Sequence, residues 1–288
     1  MNKRINWTEW NEWLKENYSL MATKRIAEHI GCSVAAVKQQ ASKWGIAKFP
    51  DDIAFFENWS AESAYIIGLW AADGYANVRR GKGVAVSISQ SRGDGLMGRI
   101  KDIVGRGSVY YIPQHGSHRW TLHSRKLYEF LNAVFGHDVR AKSRTMQWPD
   151  IPGRLERDFI RGFCDGDGHV GISSAGYAQI RFYCGSEVFR DALHTKIAEL
   201  TGIEGTTALA INDVHLIIYH GIKAVCLAKW LYQEGDFSLK RKQAVAQELA
   251  AQKQGRINKD SLTPKMRAKF PGILGRYVRE TARYLLAS

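Results

Sequence analysis

Two aspartates in this chain end apolar runs in the same way. The first run is the stretch 66–74, IIGLWAADG, and the second is the stretch 160–168, IRGFCDGDG. The aspartates before the last glycines, Asp73 and Asp167, lie 94 residues apart. A carboxylate at a helix C-terminus meets the negative end of the helix dipole, at a cost of roughly 0.3–1 kcal/mol. Two such carboxylates side by side would also repel each other, and a divalent cation between them would offset both costs.

A turn after a core helix would explain one Asp-Gly pair on its own. Two copies in matched contexts, each followed by a strand-like segment, favour a functional pair.

The helices that must carry these aspartates have recognisable ends. Ser60 is a good N-cap, and the first helix is predicted over 61–72, with Gly74 as the left-handed residue after it. The second helix is predicted to start near Arg154 and to end before Gly168. Small residues recur at helical spacing in both runs, which predicts close packing of two helix backbones. They are Gly68, Ala71, Ala72, Gly162 and Gly166.

The same order of elements follows each motif helix. After the first motif the pattern predicts strands at 75–78 and 84–89, a helix at 95–104, strands at 110–112 and 119–123, and a helix at 127–135. After the second it predicts strands at 170–173 and 179–183, a helix at 187–201, strands at 207–211 and 214–219, and helices at 223–232 and 239–251. The fold class is therefore α+β, with two αββαββα repeats joined near residues 149–152.

Residues 1–50 form a separate small unit in this interpretation. Trp7, Trp10, Trp13 and Leu14 recur at helical spacing, and helices are predicted at 23–30 and from a Ser33 cap through Trp44. Three short helices with a Gly-containing turn before the last resemble a helix-turn-helix. Its third helix would expose residue types that reach bases and phosphates, although a packing module without DNA contact is also possible. These residues are Lys38, Gln39, Ser42 and Lys43.

Composition narrows the class of partner. The chain has 288 residues, and its hydrophobic content of 45% indicates a folded protein. Its net charge of +13 predicts that it binds a polyanion, and nucleic acid is the first candidate. Four widely spaced cysteines fit reduced thiols rather than a zinc site or a disulfide set. No signal peptide or membrane segment is visible, so an intracellular protein is expected, in a bacterial or phage-infected cytoplasm rather than an organelle.

The sequence pattern predicts five segments. Residues 1–50 are the helix-turn-helix domain, 51–58 a linker, 59–150 the first repeat, 151–252 the second repeat and 253–288 a basic extension. Residues 252–288 carry nine Lys or Arg against two acidic residues. They are either a solvated tail or a clamp on the DNA backbone.

The paired motif resembles that of the LAGLIDADG homing endonucleases, in the form where one chain carries both copies. The resemblance covers about residues 58–250. It implies two four-stranded antiparallel sheets that form a saddle over the DNA major groove around a pseudo-two-fold axis. It also implies a sequence-specific double-strand DNA endonuclease of the homing type, encoded in an intron or other mobile element. Such an enzyme would act as a monomer on a long target, use Mg²⁺ and leave short 3′ overhangs.

The resemblance assigns candidate roles by position. Asp73 and Asp167 match the family's catalytic, metal-binding acids. Lys142 and Lys240 match its basic residues, although a solvated helix start would explain either lysine, and Gln90 matches a position that helps to order water. Cys184 takes the place of Gln90 in the second repeat, so the two centres should differ. Mn²⁺ is expected to replace Mg²⁺, and Ca²⁺ to support binding without cleavage.

Alternating polar residues on the strands supply the expected DNA contacts. The set on the repeats comprises Arg79, Ser87, Ser89, Arg119, His123, Gln179, Arg181, Tyr183, His215, Arg241 and Lys242. Tyr219 is predicted to share the outward face of the second sheet. Two other functions remain open at this point: a DNA-binding regulator that kept the fold and lost cleavage, and an intron maturase that binds RNA.

Overall fold

The computed structural model describes residues 5–18, 21, 23–46, 53–79, 83–91, 94–173 and 177–251. The chain divides into two compact units, Met1–Ala54 and Phe55–Ser288, and this boundary falls within the stretch 51–58. The basic stretch 252–288 lies outside the described residues.

The described residues of the first unit form a short 3-10 turn and three helices. The turn is Trp7–Trp10, and the helices are α1 (Asn11–Asn17), α2 (Thr23–Ile30) and α3 (Val34–Lys43). The Ser33 hydroxyl accepts a hydrogen bond from the Ala36 amide and caps α3, as its position before the helix predicts. Leu14, Ile26 and Val37 are among the residues of a core that belongs to this unit. The helices are those predicted, and their assignment as a DNA-binding helix-turn-helix stays a prediction.

The second unit repeats one order of elements twice. The first half contains α4 (Ala54–Glu57), α5 (Ala61–Asp73), β1 (Gly74–Arg79), β2 (Gly83–Ser91), α6 (Leu96–Val104), β3 (Ser108–Ile112), β4 (Ser117–His123), α7 (Arg125–Phe135) and α8 (Lys142–Thr145). The second half contains α9 (Glu156–Asp167), β5 (Gly168–Ile172), β6 (Ala178–Cys184), α10 (Glu187–Thr201), β7 (Thr206–Leu209), β8 (His215–His220), α11 (Ile222–Leu231) and α12 (Lys240–Ala251).

Each half builds one antiparallel sheet with the same topology. The strand order is β1-β2-β4-β3 in the first sheet and β5-β6-β8-β7 in the second. The inward faces pack apolar residues such as Ile88, Trp120, Phe182 and Ile217 against the helices, and all four are at most 1% exposed. The predicted α+β fold of two αββαββα repeats is confirmed.

The two motif helices lie in the middle of this unit and pack closely on each other. A Cβ atom at Gly68 would overlap the backbone of Phe159 in α9, and one at Gly162 would overlap the backbone of Tyr65 in α5. Only glycine lets the backbones approach this far. The small residues of the motifs therefore hold α5 and α9 together, as their spacing predicts.

One prediction at the helix ends is wrong. Gly74 is extended, with φ −90° and ψ 158°, and is not the left-handed residue expected after α5. The chain passes straight from the helix into β1, and Gly168 does the same between α9 and β5. Glycine is required at Gly74 because a Cβ there would overlap the Trp70 ring.

Candidate active site

The last residue of each motif helix is one of the two aspartates. Asp73 ends α5 and Asp167 ends α9, and both are partly exposed. A Cβ placed on Gly166 would lie 3.1 Å from the Asp73 Oδ2, so the end of α9 lies against the carboxylate of α5. The packing of the glycine-rich helix faces thus brings both acids to one end of the helix pair.

Both carboxyl groups are in an environment that disfavours their charge. Burial, followed by the charge of Asp167, raises the pKa of Asp73 to about 6. Burial also raises the pKa of Asp167, and the nearby Lys142 and Lys242 oppose that shift. This is the signature of two acids forced together in a partly desolvated place, which is common at functional sites.

A buried lysine lies at the end of the first motif helix. Lys142 is 5% exposed, and its Nζ donates to the carbonyl oxygens of Ala71 at 2.6 Å and Ala72 at 3.3 Å. The ammonium group also lies 5.2 Å from the centre of the Trp70 ring. Burial lowers the pKa of Lys142 to about 8, and Asp167 and Asp73 oppose that shift. The cation thus neutralises the helix C-terminus beside the acids, where the family resemblance placed it.

The corresponding lysine of the second helix is Lys242, which corrects the prediction of Lys240. Lys240 is exposed at the start of α12. Lys242 is 5% exposed, and its Nζ donates to the carbonyl oxygens of Cys164, Asp165 and Gly168 at 2.6, 2.9 and 2.6 Å. Lys242 is therefore also wrong as an exposed DNA contact, whereas Arg241 beside it is exposed. Sequence spacing alone could not choose between two lysines of LKRKQ, since only the phase of α12 decides which one points at α9.

Strand residues complete the two centres differently. The Gln90 Nε2 donates to the Asp73 Oδ2 at 2.5 Å and lies 3.5 Å from the Asp165 carbonyl oxygen. Cys184 ends β6 as Gln90 lies near the end of β2, and burial followed by the Asp167 charge raises the pKa of its thiol to about 12. A neutral thiol cannot donate as an amide does, so the two centres are chemically unequal.

The outward face of the first sheet carries several of the predicted DNA contacts. The Arg119 Nε donates to the Ser89 hydroxyl at 2.8 Å, and the guanidinium lies over the Tyr75 ring at 4.9 Å. His123 is exposed on the same strand. Ser87 is 1% exposed and its hydroxyl bonds the Thr121 hydroxyl at 2.9 Å, so its prediction as a free DNA contact is wrong. The side chain of Arg79 lies outside the described part of the chain.

The second sheet requires further corrections. Arg181 and Tyr183 are partly exposed on the outward face, as predicted. Tyr219 pairs with the inward Ile180, and His215 pairs with the inward Cys184, so both predicted outward positions are wrong. Gln179 keeps the predicted face but is 3% exposed, with its Nε2 3.1 Å from the His220 Nδ1. In the first unit, the four candidates on α3 are all exposed: Lys38, Gln39, Ser42 and Lys43.

Comparison with known proteins identifies the first repeat. Residues 60–134 match the LAGLIDADG-like domain family. These residues form a LAGLIDADG-like domain. The matched stretch contains Asp73 and Gln90, so the resemblance drawn from the motifs is confirmed there. No curated protein matches the chain.

Solved structures of homing endonucleases are similar to this chain. I-DmoI in complex with DNA and Ca is 16% identical, with a TM-score of 0.48 over 65% of this chain and 97% of that one. I-SmaMI bound to uncleavable DNA is 13% identical, with a TM-score of 0.49 over 73% and 94% of the two chains. I-WcaI bound to its DNA recognition sequence is 11% identical, with a TM-score of 0.46 over 67% and 93%.

The acids of the LAGLIDADG-like domain and its repeat suit a hard divalent cation. Mg²⁺ is commonly held by one or two carboxylates, and substrate phosphates and water fill its remaining positions. Burial, followed by the charge of Asp167, raises the pKa of Asp73, and a bound cation would favour the ionised form. Within the ranges that the structure describes, no group of three or more histidine, cysteine, aspartate or glutamate side chains is poised for metal binding. The two carboxylates at the helix ends are of the ligand type that such a cation prefers.

Sequence reasoning missed the part played by Asp165. The motifs have Ala71 and Asp165 at equivalent positions, and this inequality was the available signal. The Asp165 side chain is fully buried and accepts three hydrogen bonds, so it belongs to the interior rather than to the acid pair.

Proposed function

We propose that this protein is a sequence-specific, metal-dependent DNA endonuclease that cuts both strands of its target. The observation that carries the proposal is the paired arrangement at the ends of α5 and α9. Each helix ends in an aspartate, and each helix end is bonded by a buried lysine, Lys142 or Lys242. One centre for each strand would give a double-strand break, with the short 3′ overhangs that the family resemblance implies.

The chemistry follows from the needs of a phosphodiester. Asp73 and Asp167 would hold a divalent cation, which when bound supplies Lewis-acid activation of water and stabilisation of the leaving 3′ oxygen. The carboxylates would orient the attacking water. Lys142 and Lys242 would place positive charge near the phosphoryl oxygens, where negative charge develops in the transition state. Gln90 would fix the Asp73 oxygen to which it donates.

The DNA partner is supported by charge and by the sheets. The chain carries a net charge of +13, and the first sheet presents Arg119, Ser89 and His123 on the face opposite the helices. Since one chain supplies both centres, a monomer suffices. No described helix combines the length and apolar character needed to cross a bilayer. We propose that this activity occurs in a bacterial or phage-infected cytoplasm, and that the gene is carried on a mobile element.

A DNA-binding regulator without cleavage is the second candidate, because the exposed polar face of α3 is suited to DNA whether or not the acids act. The RNA maturase is the third. Both candidates predict nucleic-acid binding without a break in duplex DNA, so the cleavage assay separates them from the proposed function.

The test begins with selection of bound sites from a random duplex library in Ca²⁺, followed by cleavage with Mg²⁺ and sequencing of the ends. We expect the wild type to cut both strands. Asp73→Asn and Asp167→Asn should abolish double-strand cleavage and retain binding in Ca²⁺. Lys240→Ala, at an exposed position of the same protein, is the control and should cut normally. Unchanged cleavage by either Asn variant would remove that acid from the mechanism.

A further inference from the structure

The buried carboxylate of Asp165 joins four elements. Its oxygens accept hydrogen bonds from the Tyr65 hydroxyl at 2.7 Å, the Tyr232 hydroxyl at 2.7 Å and the Leu239 amide at 2.6 Å. Tyr65 belongs to α5, Asp165 to α9, Tyr232 follows α11 and Leu239 precedes α12. A buried carboxylate with three donors is fully satisfied, and removal of an acceptor would leave donors unpaired.

The segment 232–239 between α11 and α12 is also held by further hydrogen bonds and an ion pair. The Arg161 Nε donates to the Phe237 carbonyl oxygen at 3.2 Å, and its guanidinium lies 3.2 Å from the Asp236 carboxylate. Arg99, from the first repeat, donates to the Ser238 carbonyl oxygen at 2.8 Å. Asp165 holds the last residue of this segment, immediately before α12 begins.

That last residue sets the start of the helix that carries Lys242. The Leu239 carbonyl oxygen accepts hydrogen bonds from the Lys242 amide at 2.9 Å and the Gln243 amide at 3.0 Å. The Asp165 carboxylate fixes the Leu239 amide, and the Asp165 carbonyl oxygen accepts from the Lys242 Nζ. Asp165 thus fixes both the backbone at the start of α12 and the position of the Lys242 ammonium group.

Among the residues that the structure describes, the first centre has no equivalent buried carboxylate. Ala71 occupies the position equivalent to Asp165, and Lys142 lies on the short helix α8, bonded directly to the end of α5. Toward the first repeat, Asp165 contacts Gln90 through its backbone carbonyl oxygen, which a side-chain substitution leaves in place, and Tyr65 of α5 through its carboxylate.

We infer that Asp165 is a positioning residue for the centre that Lys242 serves, acting through Leu239 and Lys242 on the cutting of one strand. The inference rests on the proposed nuclease function. It predicts a defect confined to one strand, which a general loss of packing would not produce.

The test uses Asp165→Asn in the full chain. An amide keeps the shape but has one accepting oxygen in place of two and no negative charge, so it cannot accept all three hydrogen bonds as the carboxylate does. On a duplex labelled separately on each strand, under single-turnover conditions with Mg²⁺, one strand should be cut about 10- to 100-fold more slowly. The other strand should be cut at the wild-type rate, and affinity in Ca²⁺ should be unchanged.

Reference variants identify the strand. Lys242→Met should slow the same strand as Asp165→Asn, whereas Lys142→Met should slow the opposite strand. Tyr232→Phe removes one donor to Asp165 with almost no change in volume, and should slow that same strand by a smaller factor. It also keeps the test decisive if Asp165→Asn does not fold.

Three results would overturn the inference: equal slowing of both strands by Tyr232→Phe or a folded Asp165→Asn, slowing of the Lys142 strand, or no change in either rate. Failure of the wild type to cut either strand would instead overturn the proposed function.

Discussion

Asp73 is held in surroundings that favour its protonated form. Its pKa in the folded protein is about 6, above the ordinary value of 3.8, chiefly because of burial and then because of Asp167. An acid with a raised folded-state pKa stabilises the fold below the unfolded pKa, and this contribution is lost as the pH rises through about 6. The ionised form of Asp73, which the proposed cation would require, is thus maintained at a cost to stability.

Asp73→Asn should therefore stabilise the protein in the absence of divalent cations. We expect the free energy of unfolding at about pH 8 to rise by about 1–3 kcal/mol, and the gain to disappear near pH 4. Urea unfolding at the two pH values measures it. Asp102→Asn, at an exposed position of α6, is the control and should change stability little. A less stable Asp73→Asn protein at pH 8 would contradict this account of the acid pair.

At the residue scale, the sequence predicted that both acids lie at the ends of the motif helices, and it failed where burial decides. Asp73, Asp167, Lys142 and Gln90 follow from the motif and its register with the family. Lys242 could not be predicted in this way. The first four residues of α12 are all polar, so no apolar position shows which side of the helix faces inward. Asp165 could not be assigned either, since its partners Tyr65, Tyr232 and Leu239 come together only through the tertiary fold.

At the element scale, the glycines of the helix pair allow a direct test. A Cβ at Gly68 or Gly162 would overlap the backbone of the opposite helix. Gly68→Ala and Gly162→Ala should therefore each lower the free energy of unfolding by several kcal/mol or prevent folding, since a close-packed interface cannot absorb an added methyl group at backbone distance.

Gly98 in α6 is the matched control for that test. A Cβ there would meet nothing within 4 Å, so Gly98→Ala should be neutral or stabilising by up to about 1 kcal/mol. Thermal unfolding of the three variants, followed by circular dichroism, makes the comparison. Equal effects at all three positions would mean that helix propensity, not the helix–helix approach, governs them.

The order of the strands could be predicted from the sequence. Which residues of each strand face the helices could be predicted only in part. In β6, polar and apolar residues alternate, and the predicted outward positions Arg181 and Tyr183 are correct. In β8, HLIIYH, apolar residues lie on both faces, so alternation gives no phase. The pairing of Tyr219 with Ile180 sets it instead, and a shift of one residue exchanges the two faces.

At the scale of the whole molecule, the chain combines two units that each possess a core. The first unit buries Leu14, Ile26, Ala27, Val37 and Ala41 in its own cluster. The second unit contains both acids and both buried lysines. Removal of residues 1–50 should therefore leave the second unit folded, and should separate the binding contribution of α3 from the proposed cleavage.

We expect that deletion to weaken DNA binding and to shorten the footprint while the cut positions stay the same. Residues 1–50 carry eight Lys or Arg against four Glu, so their phosphate contacts contribute to counterion release. The slope of log affinity against log salt should become shallower by about one for each lost phosphate contact. Footprinting in Ca²⁺ and titrations at several salt concentrations measure both effects. Lys38→Ala with Lys43→Ala, on the exposed face of α3, should reproduce part of the slope change without loss of folding. An unaltered footprint and slope after deletion would mean that the three-helix unit does not contact the target, and that the second unit alone carries DNA recognition.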